Sequence, residues 1–158
     1  MLGNLDVFHV GLVVEDLDAS MRELGRRLEL TWAPVQQRRQ RVRTGAGEVI
    51  DEHIRWTYSV QGTPHLELVE SQERRLWQPG PPGQLHHIGV FADDFAAASR
   101  GYAESGAAVE FGGGDGDEPA GFVYHQLPGG LRLELVDGRR REHFRAWMAG
   151  GALGRPGG

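Results

Sequence analysis

Two stretches of the sequence decide the fold, because the second repeats the first. They are His9-Val-Gly-Leu-Val-Val-Glu-Asp-Leu-Asp-Ala-Ser-Met21 and His87-Ile-Gly-Val-Phe-Ala-Asp-Asp-Phe-Ala-Ala-Ala-Ser99. In each, a β-rich run leads into a helical pattern, which indicates that one supersecondary unit occurs twice. The chain of 158 residues is long enough for two small modules.

A second pair of repeats lies later in the two copies. Pro64-His-Leu-Glu-Leu-Val-Glu70 returns as Gly130-Leu-Arg-Leu-Glu-Leu-Val-Asp137. Two repeats in the same order are not expected by chance. The two repeated segments lie closer together in the second copy, so the stretch between them is shorter there. We predict a first module at 1–76, a linker at 77–84, a second module at 85–138, and a C-terminal helix with a flexible tail at 139–158.

Each module is predicted to run strand, helix and then three strands. The first strand covers 7–14 and its repeat begins at His87. Asp16 and Asp94 are predicted N-caps of the two helices. The remaining strands are expected at 32–44, 54–60 and 65–70 in the first module and at 108–111, 122–127 and 131–136 in the second. A short helix over 141–148 and a disordered tail over 150–158 complete the prediction.

Strand alternation predicts that four polar residues share one interior face. Successive side chains of a strand point to opposite sides, so each of these residues opposes an aliphatic face. A carboxylate flanked by leucines is costly unless it is paired or metal-bound. Imidazole and carboxylate ligands suit a divalent ion such as Zn, Ni, Co, Mn or Fe(II). The predicted metal ligands are His9, Glu67, His87 and Glu134.

The same alternation gives further candidates. His65 and Arg132 precede the two glutamates by two residues and share their face. We predict both as substrate-binding residues, although Arg132 would equally suit a pair with a ligand carboxylate. The arginine-rich stretch Arg38–Arg43 is interpreted as an exposed strand that charge protects from edge pairing. A dock for an anionic substrate is the alternative.

Composition excludes several kinds of chemistry. The chain has no Cys, and all 17 of its basic residues are Arg. Disulfides, thiolate catalysis and lysine Schiff bases are therefore absent. The net charge of −5 and the lack of a long apolar run predict neither nucleic-acid nor membrane binding. The N-terminus enters a strand-like run without the features of a leader, so we expect a cytoplasmic protein with a small-molecule substrate.

On these residues the chain resembles the vicinal oxygen chelate superfamily, which includes glyoxalase I, methylmalonyl-CoA epimerase, extradiol dioxygenases and bleomycin-resistance proteins. The resemblance runs from about Leu5 to Asp137. It implies an α+β fold in which two tandem βαβββ modules form a curled mixed sheet, a cup around one metal site. It also makes the four residues resemble the ligand set of glyoxalase-type and epimerase-type members. A homodimer is expected from family habit and from exposed sheet edges.

The resemblance leaves three functions open. The first is a metal-dependent isomerase, epimerase or lyase that moves a proton next to a carbonyl through a metal-stabilised enediolate, with Glu67 or Glu134 as base. The others are an Fe(II)-dependent dioxygenase and an antibiotic-binding protein without catalysis. One of Tyr124 and His125 must face the cup as an acid, base or oxyanion donor. Tyr58 has the matching place in the first module and is predicted to bind substrate. Glu48 is a nominal candidate for a further catalytic carboxylate.

Overall fold

The described part of the chain folds into eight strands and three α-helices, and the elements of the two modules follow the order that the repeats predict. The computed structural model describes residues 5–71, 76–81, 84–151 and 153. The elements are β1 (His9–Val14), α1 (Leu17–Leu28), β2 (Gln36–Thr44), β3 (Val49–Tyr58), β4 (His65–Glu70), β5 (His87–Ala92), α2 (Phe95–Glu104), β6 (Val109–Gly113), β7 (Phe122–Gln126), β8 (Arg132–Asp137) and α3 (Arg141–Met148). Residues 82–83 of the predicted linker, and residues 152 and 154–158 of the predicted tail, lie outside the described residues.

The strands form one mixed sheet that closes on itself in the order β1-β4-β3-β2-β6-β7-β8-β5. Within each module the first and last strands run parallel, β1 beside β4 and β5 beside β8. The modules meet at two antiparallel seams, β1 with β5 and β2 with β6. The strand order is the same whichever module is taken first, so the duplication appears as an internal two-fold relation. The expected α+β fold is confirmed.

The arginine-rich strand is not a free edge. β2 pairs with β3 along 36–43 and with β6 along 42–44. The edge-strand interpretation is therefore wrong for the carboxyl end of this strand, which the sequence of one module could not reveal. Because the described sheet closes, exposed edges no longer argue for a homodimer. The homodimer and the cytoplasmic location stay predictions.

The helices begin where the sequence predicts. The Asp16 side chain accepts a hydrogen bond from the Ala19 amide at 2.8 Å, and Asp94 accepts one from the Ala97 amide at 3.1 Å. These caps satisfy N–H groups that a helix leaves unpaired in its first turn. Leu17, at the start of α1, is wholly buried, whereas Leu28, at its end, is 56% exposed. The last turn of α1 therefore projects beyond the sheet.

Two apolar clusters divide the inside of the sheet from the outside. The outer cluster packs α2 against β5, β7 and β8 through residues such as Phe95, Val123 and Leu135. The inner cluster is rich in aromatic residues and includes Trp56, Phe111 and Trp147. The sheet therefore encloses an aromatic interior, and the polar residues that enter it must be compensated there.

One residue departs from the predicted alternation. Strand alternation would put Phe8 on the face of Val10, but its ring packs against Phe91 and Phe144 at centroid distances of 4.3 and 5.7 Å. It precedes β1, where the strand geometry has not yet begun. Phe8 therefore belongs to the interior.

Helix α3 covers one end of that interior. Phe144 and Trp147 are buried in the inner cluster, and the Trp147 Nε1 atom donates to the Pro34 carbonyl at 2.7 Å. This predicted helix is thus tied to the first module, although it follows the second. None of the described helices is long and apolar enough to cross a membrane.

Candidate metal centre

The four predicted ligands come together inside the sheet. His9 and His87 open β1 and β5, which pair at one seam, and the glutamates lie on the adjacent parallel strands β4 and β8. Both imidazoles are wholly buried, while Glu67 is 5% and Glu134 is 7% exposed. Each module thus contributes one imidazole and one carboxylate to the same point.

The ligand atoms are spaced as a single ion requires. One nitrogen or oxygen from each residue lies within 4.8 Å of the other three. The Nε2 atoms of His9 and His87 are 3.0 Å apart, and each contacts a carboxylate of the opposite module at 2.8 Å, His9 with Glu134 and His87 with Glu67. Ligands about 2.1 Å from one ion are themselves separated by about 3.0 to 3.4 Å when adjacent. The donor set and its spacing therefore fit a divalent metal.

Glycines make room for the imidazoles across the seam. A Cβ atom added to Gly11 would lie 1.9 Å from the Cε1 atom of His87, and one added to Gly89 would lie 1.8 Å from the Cε1 atom of His9. Each glycine thus clears space for the histidine of the other module. Gly11 and Gly89 follow His9 and His87 closely in the sequence, but each leaves its space to the histidine of the opposite module.

The charges at this point are interdependent. Burial would lower the pKa of His87, but its hydrogen bonds with Glu134 and Glu67 outweigh burial and raise that pKa to about 9. Burial would raise the pKa of Glu134, yet hydrogen bonds with His87 and His9 bring it well below its usual range. Without an ion, the carboxylates thus hold a proton on an imidazole. A divalent ion would displace that proton and neutralise both carboxylates.

Two tyrosines complete the symmetric part of the site. Tyr58 is the cross-strand partner of Glu67, and Tyr124 is the partner of Glu134. Their ring centroids lie 5.1 Å from those of His9 and His87, respectively. Burial and the nearby carboxylates raise the pKa of each hydroxyl well above its usual range. Both hydroxyls therefore keep their protons and can serve as hydrogen-bond donors.

A cavity that is open to solvent leads to the carboxylates. Its walls are mainly aromatic and aliphatic, and it includes both glutamates, both tyrosines and two arginines. The lining residues are Arg38, Ile54, Trp56, Tyr58, Glu67, Val69, Trp77, Phe122, Tyr124, Glu134, Val136, Arg140 and Phe144. The arrangement can bind a small, partly apolar molecule with its polar end towards the candidate metal ligands.

Of the pair Tyr124 and His125, the structure turns Tyr124 towards the cavity. His125 lies on the opposite face, where its Nε2 atom contacts the Ser99 hydroxyl at 3.0 Å and its Nδ1 atom donates to the Ala107 carbonyl at 2.9 Å. The expected catalytic role of His125 does not fit this position, because the sheet separates it from the cavity.

Two other candidates are also engaged elsewhere. His65 is buried, with its Nδ1 atom 2.8 Å from the Ser59 carbonyl, and it does not line the cavity. Arg132 forms a bidentate ion pair with Glu110, at 2.7 and 2.8 Å, rather than with the carboxylate of a candidate metal ligand. The expected substrate-binding roles of both do not fit these contacts. Strand parity indicated the side correctly, but it could not indicate the neighbour on the adjacent strand.

The arginine-rich strand divides its side chains between two environments. Arg38 faces inward, lines the cavity and lies 4.9 Å from the centre of the Trp56 ring. Arg39 and Arg41 face outward, where both pair with Asp51. Only one residue of the stretch is therefore placed to meet a substrate in this cavity.

Sequence reasoning also placed some residues wrongly or missed them. Strand alternation from His87 would put His86 on the helix-facing side, but its Nδ1 atom lies 2.9 Å from the Nδ1 atom of His87. Glu48 is exposed in the turn between β2 and β3. Glu52 is buried, because it precedes the inward-facing Ile54 by two residues and lies on the same face of β3. Parity along β3 could have found Glu52. Arg140 follows a strand, where no alternation could predict its direction.

Comparison with known proteins identifies the family. Residues 8–124 match the model of the Glyoxalase/Bleomycin resistance protein/Dioxygenase superfamily, which is most of the chain. The chain therefore belongs to this superfamily, and the resemblance drawn from its repeats is confirmed. Glu134 and Arg140 lie beyond the matched stretch. No curated protein sequence matches the chain.

Solved structures share the fold at low identity. A hypothetical protein from Bacillus halodurans has a TM-score of 0.54 and 13% identity, over 83% of this chain and 92% of that one. Methylmalonyl-CoA epimerase from Mycobacterium tuberculosis has a TM-score of 0.53 and 17% identity, over 87% and 92%. A Streptomyces coelicolor methylmalonyl-CoA epimerase, in complex with 2-nitronate-propionyl-CoA, gives 0.52 and 16%, over 84% and 96%. These likenesses establish the fold alone.

Proposed function

We propose that the chain is a metal-dependent enzyme that isomerises, epimerises or cleaves a small carbonyl or acyl compound by moving a proton next to the carbonyl. The observation that carries this proposal is the complete and buried donor set at the inner end of a cavity. Buried carboxylates and imidazoles in this number are costly unless an ion compensates them. Their place beside a cavity gives a substrate access to that ion.

The proposed ligands are His9, Glu67, His87 and Glu134. A divalent ion bound there would supply Lewis-acid stabilisation of the negative charge that develops on a carbonyl oxygen. Zn, Ni, Co, Mn and Fe(II) all accept nitrogen and carboxylate oxygen ligands. Four protein ligands leave room for two substrate oxygens on an ion that takes six.

The protein groups around the ligands suit proton transfer. Glu67 or Glu134 takes the proton from the carbon, since both carboxylates line the cavity. Tyr58 and Tyr124 keep their protons and donate towards the carboxylates, which fixes the direction of the carboxylate oxygens. The aromatic walls exclude water from the carbanion that proton removal creates.

Matched glutamine substitutions test which carboxylate is the base. Metal content is measured on protein purified without chelator, for the parent, Glu67→Gln, Glu134→Gln and the surface control Glu23→Gln. Proton removal is followed as solvent deuterium entering α-substituted acyl thioesters and α-hydroxyketones. We expect stoichiometric metal and exchange in the parent and the control. One of the two site variants should retain metal, because an amide oxygen can still ligate, yet lose exchange by roughly a hundredfold or more.

Other outcomes would replace the proposal. A parent protein that holds none of the five metals would favour the antibiotic-binding function. Oxygen uptake with Fe(II) and a catechol, without deuterium exchange, would favour the dioxygenase. Deuterium exchange at the rate of the parent in both glutamine variants would rule out both carboxylates as the base.

A further inference from the structure

Arg140 is a buried cation at the wall of the proposed active site. It lies between β8 and α3, lines the cavity, and is only 9% exposed. Its guanidinium lies 5.4 Å from the centre of the Phe144 ring, one turn further along the chain. Arginine normally keeps its charged end in water, so a guanidinium buried beside a cavity requires a compensating group.

The two neighbouring arginines are compensated by carboxylates. The Arg139 Nε atom donates to both oxygens of Asp137 at 3.0 Å, and the Arg141 Nη1 atom donates to Asp93 at 3.0 Å. Arg140, between them, has a buried Nη2 atom with no hydrogen-bond partner in the described part of the chain. A buried N–H group left unbonded costs stability, which a bound oxyanion would recover.

The charged groups near Arg140 are engaged with other residues. Burial lowers the pKa of Arg140, and Tyr58, Glu134 and Asp137 oppose that effect through their electrostatic interaction with it. Asp137 is held by Arg139, while Glu134 contacts His9 at 2.8 Å. A divalent ion would neutralise both glutamates and leave the charge of Arg140 for an incoming anion.

We propose that Arg140 binds a carboxylate group of the substrate and thereby selects small acids, such as α-keto acids, over neutral carbonyl compounds. This inference rests on the proposed function, because it treats the two glutamates as the reacting end of the cavity. A guanidinium donates two parallel hydrogen bonds to a carboxylate, which fixes orientation as well as charge. Trp56, Phe122 and Phe144 then contact the apolar remainder of the substrate.

Binding of a matched pair of probes tests this selection. Benzoylformate and its neutral methyl ester carry the same phenyl group and the same vicinal oxygens, but only benzoylformate is an anion. Calorimetric titrations compare metal-loaded parent, Arg140→Gln and the control Arg145→Gln, which alters an exposed arginine of α3 paired with Glu142. We expect Arg140→Gln to weaken benzoylformate binding roughly tenfold to a hundredfold. The ester should bind all three proteins alike, and the control should match the parent.

Thermal denaturation distinguishes a loss of binding from a variant that fails to fold. Benzoylformate should raise the Tm of the parent and of Arg145→Gln, and at the same concentration it should raise that of Arg140→Met by much less. Retained metal in the Arg140 variants shows that the proposed centre is intact in them. A variant that loses both metal and cooperative melting assigns Arg140 to the fold and overturns the proposal.

The outcomes separate this inference from the proposed function. Metal and deuterium exchange in the parent, together with unchanged benzoylformate binding in Arg140→Gln, would overturn the carboxylate site alone. Arg140-dependent binding in a parent that holds no metal would support the carboxylate site and reject the proposed function. Failure of the parent to bind benzoylformate, or equal loss of acid and ester in Arg140→Gln, would also overturn the selection.

Discussion

The two modules are alike at the candidate metal centre and differ around it. Each supplies a histidine, a glutamate and a tyrosine from equivalent strands, and each supplies a glycine that clears space for the other histidine. The resemblance extends to the distance of 5.1 Å between histidine and tyrosine rings in both modules. The duplicated part of the chain therefore accounts for the candidate ligands of one ion.

The differences lie behind one of the candidate ligands and along the cavity. In the second module, His86 supports the Nδ1 atom of His87, whereas the buried Nδ1 atom of His9 has no hydrogen-bond partner among the described residues. Arg140 and α3 follow the second module and cover the interior. Arg38 enters the cavity from the long hairpin of the first module. The two modules are therefore symmetric in the candidate metal ligands. They are not symmetric in the residues that surround these ligands and line the cavity.

The largest effect should come from filling the space that Gly11 and Gly89 leave for the histidines of the opposite modules. Gly11→Ala and Gly89→Ala each place a Cβ atom within 2 Å of an imidazole ring of the other module. We expect both variants to lose stoichiometric metal, and overpacking to cost about 1 to 3 kcal/mol of stability. Metal analysis and chemical denaturation measure these two effects.

The control for these variants is Gly116→Ala. The added Cβ atom there meets only the Glu118 carbonyl oxygen, at 3.7 Å, so metal content and stability should stay near those of the parent. If one of the two site variants retained metal, the equivalence of the modules at the centre would be broken.

A smaller effect is expected at a residue without a counterpart. Burial, the charge of His87 and the charge of Arg132 lower the pKa of His86 to about 3, so its imidazole is neutral and can accept a hydrogen bond from His87. His86→Leu removes that acceptor and should weaken metal affinity by roughly tenfold to a hundredfold. His86→Asn, which can still accept, should recover most of the loss in a competitive chelator titration. Equal affinity in the parent and His86→Leu would show that His87 needs no more support than His9.

The smallest effect concerns the outer face of the second module. Burial lowers the pKa of His125, against a weaker opposite effect of the Ala107 carbonyl. The unfolded chain therefore binds the proton more readily, so the free energy of unfolding should fall as pH drops below about 6.5. His125 contributes at most about 1.4 kcal/mol per pH unit to the slope of the free energy of unfolding against pH. Denaturation midpoints at several pH values should show a reduced slope in His125→Asn, whereas an unchanged slope would assign the pH dependence to other groups.

The fold and the clustering of the candidate metal ligands were predictable because both follow from periodic patterns. Strand alternation and the repeat placed His9, Glu67, His87 and Glu134 on one interior face, and capping residues fixed where the helices begin. Partners on neighbouring strands were not predictable, since Arg132 meets Glu110 and His65 meets Ser59 only after the strands pair. Closure of the sheet through β2 and β6 depended likewise on contacts between distant parts of the chain.

The sequence by itself determined the family, the βαβββ order of each module and the types of the candidate ligands, because these follow from local patterns that occur twice. Only the tertiary structure decided that each glycine serves the opposite histidine, that Tyr124 and not His125 faces the cavity, and that Arg140 is buried there. The physical reason is that alternation within a strand sets the side on which a residue lies. Burial and partners, in contrast, depend on which strand or helix covers that side.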